Sequence, residues 1–140
     1  MTYTDENNKK KRPMVIHRSS AGCIERTIAY ILEKTQGNLP LWLSPIQVRI
    51  INFTDRNNKA CEKLYDELNN LGFRVDIDLK SEPLAGKIKQ AEMEKINYII
   101  VIGDKEEKSN TLAVREKGKV TQIKKDDFIK QITKEVEEKK

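Results

Sequence analysis

Few side chains in this sequence are of types that do covalent or metal chemistry. The chain has one histidine, His17, and two cysteines, Cys23 and Cys61. A catalytic zinc takes about three protein ligands, and a hydrolytic triad surrounds its imidazole with a nucleophile and a carboxylate, so a lone histidine supports neither. Read from the residues alone, His17 is a hydrogen-bonded structural imidazole at a strand end. The cysteines make no CxxC pair, and no HExxH, P-loop or GxGxxG spacing is present. Gly22-Cys23-Ile24-Glu25-Arg26 lacks phosphate-loop spacing, and Glu25 with Arg26 reads as a surface ion pair in the first turns of a helix. The chemistry left open is anion binding by basic side chains at the carboxyl ends of strands.

The elements that must position such residues follow from the hydrophobic pattern. Met1 to Arg12 is polar and contains the turn-like Asp5-Glu6-Asn7-Asn8, which reads as a hairpin tip or a loose end. Met14-Val15-Ile16-His17 suits a short buried strand. Ile24, Ile28, Ile31 and Leu32 recur at i, i+4, i+7 and i+8, which predicts an amphipathic helix over about Gly22 to Thr35. Ser20 is placed to cap it, and Gly37 to end it in a left-handed conformation. Asn38 to Pro45 holds two prolines and cannot continue as helix, so it reads as an ordered connector whose apolar side chains dock on a neighbour.

From Ile46 strand and helix alternate. Gln47–Phe53, Phe73–Ile77, Tyr98–Ile102 and Thr111–Arg115 read as strands. Asn57–Leu71, Leu84–Lys95 and Asp126–Glu137 read as helices, with Cys61, Leu64, Leu68 and Leu71, then Leu84, Ile88 and Ala91, then Phe128, Ile129, Ile132 and Val136 turned inward. The run Tyr98–Ile102 is apolar throughout, as in a central strand covered on both faces. This order predicts a three-layer α/β domain with a mixed, mostly parallel sheet of about five strands, its last strand returning antiparallel. Residues 1–45 and 46–140 are the expected divisions.

Length and composition agree with one such core. The chain has 140 residues, of which 37% are hydrophobic and 35% charged. That suits one complete domain with a piece of another. No apolar run approaches the ~20 residues that cross a bilayer, and the first twelve residues lack the apolar stretch of a secretory signal, so a cytoplasmic protein with two free thiols and no membrane partner is expected. The balance of 27 Lys and Arg against 22 Asp and Glu, net +5, permits a polyanionic partner such as RNA without requiring one.

Read as linked motifs, the sequence says more. Arg12-Pro13-Met14-Val15-Ile16-His17-Arg18, Gly22-Cys23-Ile24-Glu25-Arg26 and Leu39-Pro40-Leu41-Trp42-Leu43-Ser44-Pro45-Ile46-Gln47-Val48 stand in order, followed by Gly72-Phe73-Arg74-Val75, Ala85-Gly86-Lys87-Ile88-Lys89, Tyr98 to Glu106 and Val114-Arg115. From about Tyr3 to its end the chain resembles the C-terminal part of the threonyl-tRNA synthetase family. The resemblance implies that residues 1–45 are the end of a class II catalytic domain, with its third signature motif, and that residues 46–140 are an anticodon-binding domain. It implies a fragment of a longer enzyme that ligates threonine to its tRNA using ATP and Mg²⁺, and that does not aminoacylate alone. Prolyl- and histidyl-tRNA synthetases share the module, and a free-standing, non-catalytic RNA-binding paralogue would too. The connector, His17 and the Gly103-to-Glu106 loop favour the threonyl branch.

The same resemblance assigns residues. Arg26 would contact the ATP triphosphate, with Glu25 orienting the motif, and His17 would be one ligand of the zinc ion that recognises threonine. Both roles belong to the intact enzyme, since the family's other zinc ligands match nothing in this chain; no cofactor is expected on the fragment itself. Ser81, Glu106 and Arg115 fall on the positions that read anticodon bases of the threonine-specific tRNA. Ser81 departs from the family's frequent asparagine and offers one hydroxyl in place of an amide. Glu106 would accept from a base amino or imino group, and Arg115 would donate two parallel bonds to guanine. Lys80, Lys87 and Lys89, read as a solvated helix face, would neutralise the tRNA backbone. The fragment is expected to be monomeric and the intact enzyme a homodimer.

Overall fold

A computed structural model describes residues 1–18 and 22–139. The chain divides into two compact units, residues 1–30 and 31–140.

In the first unit Tyr3–Thr4 (β1) and Lys10–Lys11 (β2) pair antiparallel around the expected turn. Asp5 closes that turn by accepting the backbone N–H groups of Asn7 and Lys9 and pairing with Lys11 at 2.8 Å. The expected strand at residues 14–17 does not form, and Met14, Val15, Ile16 and His17 are exposed. An extended apolar run becomes a strand only with a ladder partner, and residues 14–17 have none among the described residues. Helix α1 (Ile24–Thr35) forms where its periodicity placed it. The cap expected from Ser20 lies outside the described residues. Ile24, Ile28 and Leu32 on its stripe are exposed.

The second unit holds the core. Val48–Asn52 (β3), Val75–Asp78 (β4), Tyr98–Ile102 (β5), Thr111–Glu116 (β6) and Lys119–Lys124 (β7) form one sheet in the order β4-β3-β5-β6-β7. Strand β3 pairs parallel with β4 and β5, and β6 pairs antiparallel with β5 and β7. Four strands therefore point one way and β6 alone is reversed, giving the expected mixed sheet. The fifth strand was not legible: its KVTQIK sequence is polar and it is largely exposed at a sheet edge. Lys117 and Gly118, with φ of +46° and +81°, make the two-residue turn that folds it back on β6.

Helix α2 (Asn58–Asn70) follows a short 3₁₀ turn at Asp55–Asn57, and α5 (Lys125–Glu137) closes the chain. With Cys61, Leu64 and Leu68 from α2 and Phe128 and Ile132 from α5, the sheet residues Val48, Ile50, Tyr98, Ile100, Ile102, Leu112 and Val114 make the main core. Tyr98 meets Phe128 edge-on at 5.4 Å, and its hydroxyl donates to Glu135 at 2.7 Å. Burial, followed by the Glu135 hydrogen bond, pushes that phenol above its ordinary range. Leu71, expected to face inward, is exposed, because α2 ends at Asn70 and Gly72 turns the chain away with a φ of +87°. On the opposite face, α3 (Leu84–Met93) packs Ala91, with Leu84 and Ile88, over Ile51 and Ile99. The expected three layers are thus present.

The connector is docked as its apolar residues required. Leu41 is buried in the main core, and its carbonyl accepts from the buried Gln47 amide at 2.9 Å. Arg74 donates to the carbonyls of Ser44 and Trp42, at 2.8 and 2.9 Å, tying the connector to the chain entering β4.

Candidate nucleic-acid interface

The sheet's two faces are finished differently, and the difference leaves a candidate site. Side chains alternate across a strand, and residues opposite each other in a ladder share a face. The registers place Arg49, Ile99, Arg115 and Val120 in one row, and Ile51, Val101, Ala113 and Gln122 in the next, all on the face that carries α3. Helix α3 covers Ile51 and Ile99. Beyond it the cover stops: Val101, Ala113 and Arg115 are half-buried, while Val120 and Gln122 are exposed. Their neighbours facing the other way, Ile100, Ile102, Leu112 and Val114, are all buried. The outer half of this face is a shallow platform of small apolar residues with polar side chains at its margins.

Glu106 stands at one margin. It is the third residue of α4 (Asp104–Lys108), a short helix that begins where β5 ends. One of its oxygens, Oε2, accepts the Gly103 N–H at 3.1 Å, and the other, Oε1, accepts from Gln122 Nε2 at 3.5 Å. Gly103 permits this, since a Cβ there would sit 3.1 Å from Glu106 Oε2. The carboxylate is therefore held from both sides yet stays partly exposed. Arg115 stands at the other margin, where its Nη1 donates to Glu92 Oε1 on α3 at 3.3 Å. Among the described residues this is its only side-chain bond, so most of the guanidinium fork remains to meet a ligand.

Ser81 and Lys80 are exposed in the loop between β4 and α3. No hydrogen bond among the described residues joins Ser81 to Glu106 or Arg115. The three positions stand apart: Ser81 precedes the start of α3, Arg115 bonds to Glu92 near its end, and Glu106 is on α4 beside Gln122 of β7. Sequence reasoning missed Val101, Ala113, Val120 and Gln122. The two-residue turn at Lys117-Gly118 was the one signal that could have revealed β7 and with it the platform.

The lysines divide. Lys80 and Lys89 are exposed as expected. Lys87 corrects the expectation of a solvated helix face, because it is only 2% exposed. Its ammonium donates to Asn52 Oδ1 at 2.5 Å, at the end of β3. At that exposure, with its ammonium bonded to Asn52, it presents almost no surface to a backbone phosphate. The pattern contained the warning: Leu84, Lys87, Ile88 and Ala91 follow the i, i+3, i+4, i+7 rule for one helix face.

Next to the platform, buried Arg49 donates to Asp76 and Glu94 at 2.7–2.8 Å. The hydrogen bond from Arg49, followed by one from Gln90, holds the Glu94 carboxyl below its ordinary range.

In the first unit, Arg26 is exposed on α1, and Glu25 accepts the Cys23 thiol at 2.7 Å; no Glu25–Arg26 ion pair appears among the described residues. That thiol contact holds the Glu25 carboxyl below its ordinary range. His17 lies on no strand, against the reading of it as a strand-end imidazole. Among the described residues no group of three or more His, Cys, Asp and Glu could hold a metal, so His17 by itself does not fit a zinc ion. Among the described residues neither cysteine is in a disulfide; Cys23 is exposed and Cys61 buried. No described helix is long and apolar enough to cross a membrane.

Known proteins bear on this arrangement. A threonine–tRNA ligase of Clostridium novyi is 39% identical over 99% of this chain, which covers 22% of that protein. One from Aquifex aeolicus is 46% identical over 84% of the chain, covering 18% of that protein. The chain thus spans about a fifth of the length of these relatives. Among solved structures, the RNA binding domain of threonyl-tRNA synthetase from Cryptosporidium parvum superposes with a TM-score of 0.79 at 30% identity, covering 95% of this chain and 34% of that one. The resemblance read from the linked motifs is borne out. Residues 47–135 match the family model described as an anticodon binding domain, and the chain belongs to that family.

Proposed function

We propose that this chain is the anticodon-reading C-terminal part of a threonyl-tRNA synthetase, which in full ligates threonine to its tRNA at the expense of ATP in the cytoplasm. The observation that carries the reading is the uncovered half-face of the sheet, with a doubly held carboxylate at one margin and a largely free guanidinium at the other. Unstacked loop bases expose their Watson–Crick edges, and proteins read RNA sequence in such loops. Glu106 accepts from a base amino or imino group, Arg115 donates in a fork, and Val101 and Ala113 let a base approach the strand backbones closely. Ser81 adds a single hydroxyl from the loop before α3. Lys80 and Lys89 neutralise phosphates without reading sequence.

Residues 1–45 are, on this reading, the end of the class II catalytic domain. There Arg26 meets the ATP triphosphate and His17 supplies one of several zinc ligands. The 140-residue chain alone is a monomer, and the intact enzyme a homodimer.

Titration of the chain with the anticodon stem-loop of threonine tRNA, and with a loop of scrambled sequence, tests the reading. The cognate loop is expected to bind more tightly, with an affinity that falls steeply as salt rises. Equal binding of the two loops would contradict base readout.

A further inference from the structure

Lys87 is a charged side chain placed where an apolar one would pack at lower cost. Burying an ammonium is expensive unless it is paired, and among the described residues Lys87 makes no ion pair. Among the same residues its one hydrogen-bond acceptor is Asn52 Oδ1. The other end of the Asn52 amide donates to Asn58 Oδ1 at 2.8 Å, at the start of α2. Beside it, fully buried Asn57 accepts from the Thr54 hydroxyl at 2.9 Å and donates to Asp104 Oδ1 at 3.0 Å. Asp104 opens α4, two residues before Glu106.

These bonds join three segments that arrive separately at the carboxyl edge of the sheet. Lys87 belongs to the first turns of α3, next to the loop carrying Lys80 and Ser81. Asn52 to Asn58 form the passage from β3 into α2. Asp104 begins the helix that aims Glu106. Asn52, Lys80, Ser81 and Lys87 also line one shallow pocket of about 440 Å³. Arg115 is outside the network, on β6 and bonded to Glu92.

We propose that Lys87 is a positioning residue for anticodon discrimination, locking the Ser81 loop and the Glu106 helix in one relative geometry through Asn52, Asn57 and Asp104. This rests on the anticodon-reading function proposed above. It departs from a phosphate-contact role, since the ammonium is spent inside the protein. Discrimination then depends on Lys87 only for bases read at the carboxyl edge, while the base read by Arg115 is unaffected.

The test measures Kd for the cognate stem-loop and for three loops, each changed at one anticodon base, at several salt concentrations, for the unaltered chain, Lys87→Met, Lys87→Arg and Asp104→Ala. Arg115→Ala identifies which base Arg115 reads. Lys87→Met is expected to lower discrimination about tenfold at one or both of the other bases, leaving the Arg115 base and the salt slope unchanged; Lys87→Arg restores most of the loss. Asp104→Ala, altered at an exposed residue of the same network, is expected to reproduce the effect even if Lys87→Met fails to fold. A uniform loss for all loops with a salt slope reduced by about one unit would make Lys87 a phosphate contact and overturn the proposal. Unchanged discrimination in Asp104→Ala would also overturn it. If the unaltered chain itself discriminates nothing, the anticodon reading fails, which is a separate result.

Discussion

Strand β6 presents two different surfaces within six residues. Leu112 and Val114 face α2 and α5 and are buried, while Thr111, Ala113 and Arg115 face the other way and are half-buried. The same backbone thus contributes stability through one set of side chains and leaves the other set open for the contacts proposed above. A sheet covered by helices on both faces would be stabler but would have no surface to offer. Here α3 covers only the β3 side of its face, and the uncovered half is bounded by Glu106 and Arg115, the two residues proposed above to read bases.

Mutation of alternate residues breaks or sharpens this contrast. The largest effect is expected on the covered face: Leu112→Ala should cost about 2–5 kcal/mol of folding stability, because a cavity is left in a packed core. Chemical denaturation would measure it, and a loss under about 1 kcal/mol would mean that the face is not closed. One residue along, half-buried Ala113 lies outside the packed core, so Ala113→Glu should cost no more than about 1 kcal/mol of stability, yet weaken stem-loop binding roughly tenfold by placing a carboxylate against phosphates and bases. If denaturation and binding change together in both variants, the two faces are not functionally distinct.

The smallest expected effect concerns the ion pair beside the platform. The Glu94 carboxyl is held below its ordinary pKa by Arg49, so its contribution is present above the unfolded-state value and lost as pH falls through the lower folded value. Glu94→Gln should therefore be slightly less stable than the unaltered chain at pH 7, and the gap should close as pH falls below the ordinary carboxylate range. Glu94 is 40% exposed, so solvent keeps the gap to a few tenths of a kcal/mol. A gap that widens in acid would reverse the sign argued here.

Much of the second unit was legible because its signals are local. Period-3.6 stripes located α2, α3 and α5, and a continuous apolar run located β5, whose observed ends are Tyr98 and Ile102. Glycine marked the helix ends, with Gly37 and Gly72 both at positive φ. What escaped depends on tertiary neighbours. Strand β7 is held by its ladder to β6, not by hydrophobic content, so its polar sequence gave no period to read. Residues 14–17 carry a strand's composition but have no ladder partner among the described residues. Lys87 sits on the inward stripe of α3, where its chemical type argued for solvent and its position argued for burial; position prevailed because Asn52 accepts its ammonium. The roles of Ser81, Glu106 and Arg115 came from family resemblance. The structure adds Gln122 and the platform, which no single residue's type announces.

The central claim is that the open half-face reads bases, and Arg115→Ala tests it most directly. Binding to the cognate anticodon stem-loop and to loops changed at each anticodon base should be measured beside thermal unfolding of the same protein. The account predicts a loss of about 1–3 kcal/mol for the cognate loop, a much smaller loss for loops changed at the base Arg115 reads, and no resolvable change in unfolding. Equal losses for every loop would contradict it, leaving Arg115 as one more positive charge beside an RNA backbone.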